Sequence, residues 1–60
     1  MTEFRIGGQN YKISKGRGGW TLEFLFKGVY HPLGTYPNEA AARRAAAADA
    51  QVLRQYRMKL

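Results

Sequence analysis

The chain has 60 residues, no cysteine, and ten lysines and arginines against four aspartates and glutamates, for a formal net charge of +6. A chain this short forms one small domain, which excludes a deep catalytic cleft, and the lack of cysteine excludes disulfides and thiolate zinc sites. The positive charge favours a polyanionic partner, either a nucleic acid or an acidic protein surface.

The sequence contains no targeting or membrane-spanning pattern. No run approaches the roughly 18 apolar residues that a membrane helix needs. Residues 1–5 lack the charged-then-apolar order of a signal peptide. We therefore expect a cytoplasmic protein with no membrane partner, associated with the nucleoid or, if phage-encoded, present in the host cytoplasm.

The N-terminal half carries strand patterns. Within residues 1–9, the segment 4–6 is either a short extra strand or an extended arm, and the glycine pair 7–8 closes it off. Residues 10–15 alternate apolar and polar side chains, which predicts the first strand of the sheet. The Gly-rich segment 15–19 that follows predicts a flexible connection with two positive charges.

The strongest strand pattern covers residues 20–27, where apolar and mostly polar side chains alternate with a period of two. The apolar set, predicted to face the core, is Trp20, Leu22, Phe24 and Phe26. The opposite set is Thr21, Glu23, Leu25 and Lys27. A tight turn at Lys27-Gly28 then leads to a third strand, and Pro32 predicts that this strand lies at a sheet edge or contains a bulge.

A helix is predicted over residues 38–57. Asn38 can cap the free N–H groups, Glu39 suits the positive end of the helix, and eight alanines follow between residues 40 and 50. The predicted core stripe comprises Ala41, Ala45, Ala48, Val52 and Tyr56, flanked by Ala42 and Leu53. Asp49 falls in this apolar half and either bonds Arg5 or a tyrosine hydroxyl of the sheet, or lies in water at the stripe's edge. We expect the second arrangement.

These elements predict an α+β fold, a three-stranded antiparallel sheet packed on one C-terminal α-helix. The whole chain, 1–60, forms a single domain: residues 1–9 are the arm or short extra strand, 10–36 the sheet and 38–57 the helix.

The residues do not form a catalytic constellation. Ser14 has only His31 as a candidate base, the carboxylates are dispersed, and the Gly-rich segment 16–19 lacks the Lys-Ser/Thr of a phosphate-binding loop. A single histidine does not make a metal site. We therefore expect no enzyme activity, no catalytic residues, no bound metal and no cofactor.

A binding surface remains, because the helix covers only one face of the sheet. Lysine, threonine and glutamate side chains on a sheet can contact phosphates and base edges in a DNA major groove. The residues predicted to bind DNA are Lys12, Lys15, Arg17, Thr21, Glu23, Lys27 and Tyr30. The alternative is a protein-binding module, an inhibitor or a dimerising adaptor, that uses an apolar centre at Leu25, Tyr30 and Pro32.

Three stretches of the chain, 20–24, 33–37 and 39–42, have the sequences WTLEF, LGTYP and EAAA. Their order resembles the APETALA2/ethylene-response-factor-type DNA-binding domain and, equally, the arm-type DNA-binding domain of tyrosine integrases. The resemblance covers about residues 11–52. It implies a three-stranded sheet inserted in the major groove and a helix that does not touch bases, and it suits a phage or mobile-element regulatory or recombination accessory protein.

The resemblance is incomplete on the face that would meet DNA. Such domains place Arg where this chain has Leu25, and Arg and Trp where it has Tyr30 and Pro32. These departures imply weaker sequence-specific readout. Double-stranded-RNA-binding domains also end in three strands and an Ala-rich helix, but this chain lacks their first helix and has Asn38-Glu39 in place of phosphate-binding lysines. RNA is therefore the lesser alternative.

Overall fold

The computed structural model describes the backbone of residues 1–59 and the side chains of residues 1–52. Four strands are followed by one helix. The elements are β1 (Thr2–Ile6), β2 (Gln9–Gly16), β3 (Gly19–Phe26), β4 (Val29–Tyr36) and α1 (Glu39–Lys59). The strands form one antiparallel sheet in the order β1-β2-β3-β4, so each strand pairs with its neighbours in the chain.

The α+β class with one C-terminal helix is confirmed, but the expected three strands are wrong, because residues 2–6 form a fourth strand. Phe4 of β1 pairs with Tyr11 of β2, and their rings stack with centroids 5.7 Å apart. Gly7 and Gly8 have φ values of 56° and 86°, the left-handed geometry of a tight hairpin turn whose twist matches the flanking strands. The segment is thus the short extra strand and not an extended arm.

Strand β4 has the irregularity that Pro32 predicted. It lies at the edge of the sheet, and its pairing with β3 shifts at the Leu22/Glu23 step. Leu22 pairs with Gly34 and Glu23 pairs with Pro32, so Leu33 between them has no partner across the ladder. The structure therefore contains both the edge position and the bulge.

The helix begins where its capping residue predicted. The Asn38 side-chain oxygen accepts a 2.8 Å hydrogen bond from the Ala41 N–H, and its carbonyl accepts the first intrahelical bond from Ala42. The helix ends at Lys59, two residues beyond the predicted bound. Its axis crosses one face of the sheet and contacts all four strands.

The core joins three large sheet residues to a row of small helix residues spaced four apart. The members, all buried, are Tyr11, Ile13, Leu22, Ala42, Ala46 and Ala50. The small alanine side chains let the helix backbone approach the sheet closely. Phe4, Ile6, Trp20, Phe24, Tyr36 and Ala45 complete the core as partly buried neighbours.

The predicted helix stripe is wrong by a rotation of about one residue, roughly 100°. Ala42, which was predicted to flank the stripe, is fully buried in the observed row. Ala48, which was predicted to be buried, is exposed, and Val52 is 50% exposed. Alanines on both sides of the helix give the sequence almost no contrast, so the bulky sheet residues decide which row is buried. Tyr56 of the predicted stripe and Leu53, which was predicted to flank it, lie outside the described side chains.

One strand residue also departs from its predicted environment. Phe26 belongs to the apolar set of β3, yet it is 52% exposed. It is the last residue of β3 and pairs with Val29 next to the Lys27-Gly28 turn, which forms as predicted with φ values of 52° and 79°. Strand alternation gives the face of a residue, but it does not say how far along the strand the helix extends.

We predict that Ala46→Leu lowers the free energy of unfolding by about 1–3 kcal/mol, because the added atoms would overpack the contact between helix and sheet. Ala47→Leu is the matched control, since Ala47 is exposed on the same helix turn, and it should change stability by less than about 0.5 kcal/mol. Urea denaturation of both variants checks the prediction, and equal effects would contradict the buried row.

Candidate nucleic-acid interface

The face of the sheet opposite the helix is open. The strand register shows which side chains lie on this face, because residues paired across strands share a face. We call this surface the open face. Its residues are Glu3, Arg5, Asn10, Lys12, Ser14, Thr21, Glu23, Leu25, Tyr30, Pro32 and Thr35.

The centre of the open face is a connected polar network built on Tyr30. The Tyr30 hydroxyl donates a long, 3.4 Å hydrogen bond to Glu3 Oε1, although the two residues lie on opposite edge strands. The Tyr30 side chain therefore lies across the sheet. Lys12 Nζ is 4.4 Å from the centroid of its ring and 3.6 Å from Glu23 Oε1. Four residues from four strands are thus held in one arrangement.

This network leaves the open face close to electrical neutrality. Lys12 and Glu23 are cross-strand neighbours whose side chains are only 22% and 23% exposed, so each charge is largely satisfied by the other. Arg5 and Glu3 add one further charge of each sign. Lys12 therefore already contacts both Glu23 and Tyr30. Hydrogen-bonding groups make up most of the centre of the face.

Apart from Arg5 on the open face, the positive side chains of the sheet that form no ion pair within residues 1–52 lie at its two ends. Lys15 and Arg17 are exposed at the β2–β3 turn, and Lys27 is exposed at the β3–β4 turn. The eight residues of β3 separate these turns, a distance of about 26 Å at the usual rise of a strand. We call Lys15, Arg17 and Lys27 the cationic ends.

The predicted binding residues thus fall into three groups. Lys12, Thr21, Glu23 and Tyr30 share the open face. Lys15 pairs with Trp20, so its strand position belongs to the helix-covered face, and its Nζ lies 5.8 Å from the Trp20 ring. Lys27 adopts the left-handed φ of a turn residue and lies at the far end from Arg17.

Sequence reasoning missed the contribution of β1 and its turn to the open face. Glu3, Arg5 and Asn10 line a depression of about 320 Å³ beside Tyr30. The signal that could have found them is the alternation of Phe4 with Ile6 just before two glycines, which together predict a hairpin.

A second polar contact joins the covered face to the helix. The hydroxyl of buried Tyr11 donates a 2.7 Å hydrogen bond to Asp49 Oδ2. The expectation that Asp49 lies free in water is therefore wrong, and the tyrosine-hydroxyl alternative is right. Burial, followed by the hydrogen bond and the negative charge of Asp49, raises the pKa of Tyr11 well above its ordinary value.

Among the side chains of residues 1–52, no group of three or more His, Cys, Asp or Glu could hold a metal ion. The described helix, Glu39–Lys59, is not apolar enough to cross a membrane.

Comparison with known proteins adds no relative. No family model, curated protein or solved structure matches the chain.

We predict that Tyr11→Phe lowers the free energy of unfolding at pH 7 by about 1.5–3 kcal/mol, because Asp49 loses its hydrogen-bond donor. Since the folded-state pKa of Tyr11 is raised, its hydroxyl stabilises the fold fully below about pH 10 and this stabilisation is lost as the pH rises further. Denaturation of both proteins between pH 7 and 11 should show their stabilities converging above pH 10. A gap that stays constant over this range would contradict the assigned contact.

Proposed function

We propose that the chain is a DNA-binding module that contacts duplex DNA through the open face of its sheet. The observation that carries the proposal is the charge layout, in which a nearly neutral, hydrogen-bonding centre lies between the cationic ends. The net charge of +6 supplies long-range attraction for a polyanion.

This layout matches the major groove of DNA. The floor of the groove presents neutral donors, acceptors and thymine methyl groups, whereas its walls carry the phosphate charges. In this arrangement Thr21, Glu23 and Tyr30 meet base edges, with Glu23 accepting from a cytosine amino group. Arg17 and Lys27 bind phosphates at either end.

The existing contacts of Lys12 limit how well the open face can recognise a particular DNA sequence. A lysine that already pairs with Glu23 and lies over Tyr30 must exchange these contacts to reach a base or a phosphate. We therefore propose that Lys12 orients its two neighbours for DNA. The cationic ends provide most of the affinity, so binding discriminates weakly between sequences.

A protein partner is the second candidate, and the pairing of Leu25 with Tyr30 favours it. These two residues are opposite each other on β3 and β4, and Pro32 beside them is exposed. An apolar group of this kind on an otherwise polar face can anchor a protein interface. RNA remains the lesser alternative, since a sheet with basic ends would also attract its phosphates.

We predict that affinity for a random-sequence DNA duplex falls by roughly tenfold or more between about 50 and 200 mM salt, because each phosphate contact releases a counterion. Arg17→Ala should weaken binding and reduce the salt slope by about one. Arg44→Ala is the matched control, since Arg44 is exposed on the helix and the substitution removes the same charge. Fluorescence anisotropy of the labelled duplex measures all three proteins.

Two outcomes of that titration would contradict the proposal. The first is an absence of binding at the lower salt concentration. The second is an equal loss for Arg17→Ala and Arg44→Ala, which would show attraction to net charge and no use of the sheet. A labelled RNA duplex, measured alongside the DNA, tests the alternative of RNA binding, because we expect weaker binding to RNA than to DNA.

We predict that Leu25→Ala changes affinity for the random duplex by less than about threefold, since an apolar side chain makes no phosphate contact. The same substitution should abolish binding to a protein partner held at Leu25 and Tyr30. A circular dichroism melt of Leu25→Ala is the control, because it shows whether the substitution disturbs β3. Loss of DNA binding by a folded Leu25→Ala variant would show that the open face binds DNA through apolar contacts.

A further inference from the structure

The two edges of the sheet differ in their ability to accept another strand. Strand β4 has Pro32 and the bulge at Leu33, two features that block further pairing. Strand β1 at the other edge is a regular five-residue strand without proline. An open, regular edge of this kind offers unpaired backbone groups to another chain.

The register of the first hairpin shows which backbone groups face that edge. The residues that flank a two-residue turn exchange both of their backbone hydrogen bonds, and here they are Ile6 and Gln9. Because the direction of the backbone groups alternates along a strand, the N–H and C=O groups of Phe4 also point toward β2. The N–H and C=O groups of Glu3 and Arg5 therefore point outward, away from the sheet.

The side chains of these two residues make the edge complementary to itself. Glu3 and Arg5 are exposed on the same face, and neither forms an ion pair with another side chain among residues 1–52. We propose that β1 pairs antiparallel with β1 of a second copy of this chain, about a two-fold axis at Phe4. Glu3 of each copy then lies opposite Arg5 of the other.

Only this register satisfies both the backbone and the charges. Continuity of the two faces requires Glu3 to lie opposite an odd-numbered residue of the second copy. Pairing Glu3 with Glu3, or Arg5 with Arg5, would place like charges opposite each other, which destabilises a sheet. Centring on Phe4 instead gives two Glu–Arg pairs, four backbone hydrogen bonds and a Phe4–Phe4 contact on the covered face.

The other charged groups near this edge permit the pairing. Arg43 of the helix lies 5.0 Å from the centroid of the Phe4 ring, and its charge is offset by Glu39 at 3.2 Å. Tyr30 occupies only one carboxylate oxygen of Glu3. Since β4 is blocked, the two-fold pairing closes on itself as a dimer and does not continue into a fibre.

The dimer does not depend on the proposed DNA binding, although dimerisation would increase the affinity for DNA. The two-fold axis is perpendicular to the sheet, so both open faces lie on the same side of one continuous eight-stranded sheet, with both helices on the other. Such a dimer presents two copies of the cationic ends to one duplex, which raises affinity through multivalency.

The test is a charge exchange across the pair, measured without nucleic acid. In sedimentation equilibrium between about 10 µM and 1 mM, the wild-type chain should form dimers. Glu3→Arg and Arg5→Glu should each dimerise at least about tenfold more weakly, because each places like charges opposite each other. An equimolar mixture of the two variants should form heterodimers, since the two arginines on β1 of one variant then lie opposite the two glutamates on β1 of the other.

The double variant Glu3→Arg/Arg5→Glu restores the complementarity and should dimerise like the wild type. Amide hydrogen exchange of the wild type should show protection of the Glu3 and Arg5 N–H groups that rises with protein concentration. A wild-type chain that stays monomeric at about 1 mM, single variants that dimerise as well as the wild type, or a dimer in which both amides exchange freely would overturn the proposal. Circular dichroism melts of each variant confirm that it is folded.

Discussion

The close packing of the alanine row on α1 against Tyr11, Ile13 and Leu22 determines which face of the sheet is covered and which is left open. Among residues 1–52, six buried residues form the centre of the core, and so small a core covers only one face of the sheet. The Tyr11–Asp49 hydrogen bond adds a directional contact between this face and the helix. The opposite face is left open as a direct consequence.

The charge distribution gives the open face its character. The chain is strongly basic, yet its sheet centre is nearly neutral because Lys12 is paired with Glu23, and Glu3 and Arg5 carry one charge of each sign. Under the proposed function, the charged ends of this surface meet phosphates and its hydrogen-bonding centre meets base edges in the DNA major groove. Overall charge alone would not distinguish DNA from any other polyanion.

Sequence patterns predicted the features that short-range chemistry controls. The Asn38 cap, the Lys27-Gly28 turn and the Pro32 irregularity each follow from the conformational limits of one or two residues. The fourth strand was left undecided because a five-residue strand gains its stability from pairing with β2, which no local pattern reports. The buried helix row was wrong because alanines on several sides of a helix give no hydrophobic contrast. The open-face network depends on register across four strands, so Glu3 and Arg5 were not among the predicted site residues.

A titration of the ¹⁵N-labelled chain with an unlabelled DNA duplex, followed by amide chemical shifts, would locate the surface that binds DNA. We expect the shifts to move at Arg17, Thr21, Glu23 and Lys27, along the open face and its two ends. Amides on the outer side of the helix, such as that of Arg44, should stay close to their free positions. Shifts confined to the helix, or no shifts at a DNA excess in low salt, would contradict the assignment of the open face to DNA.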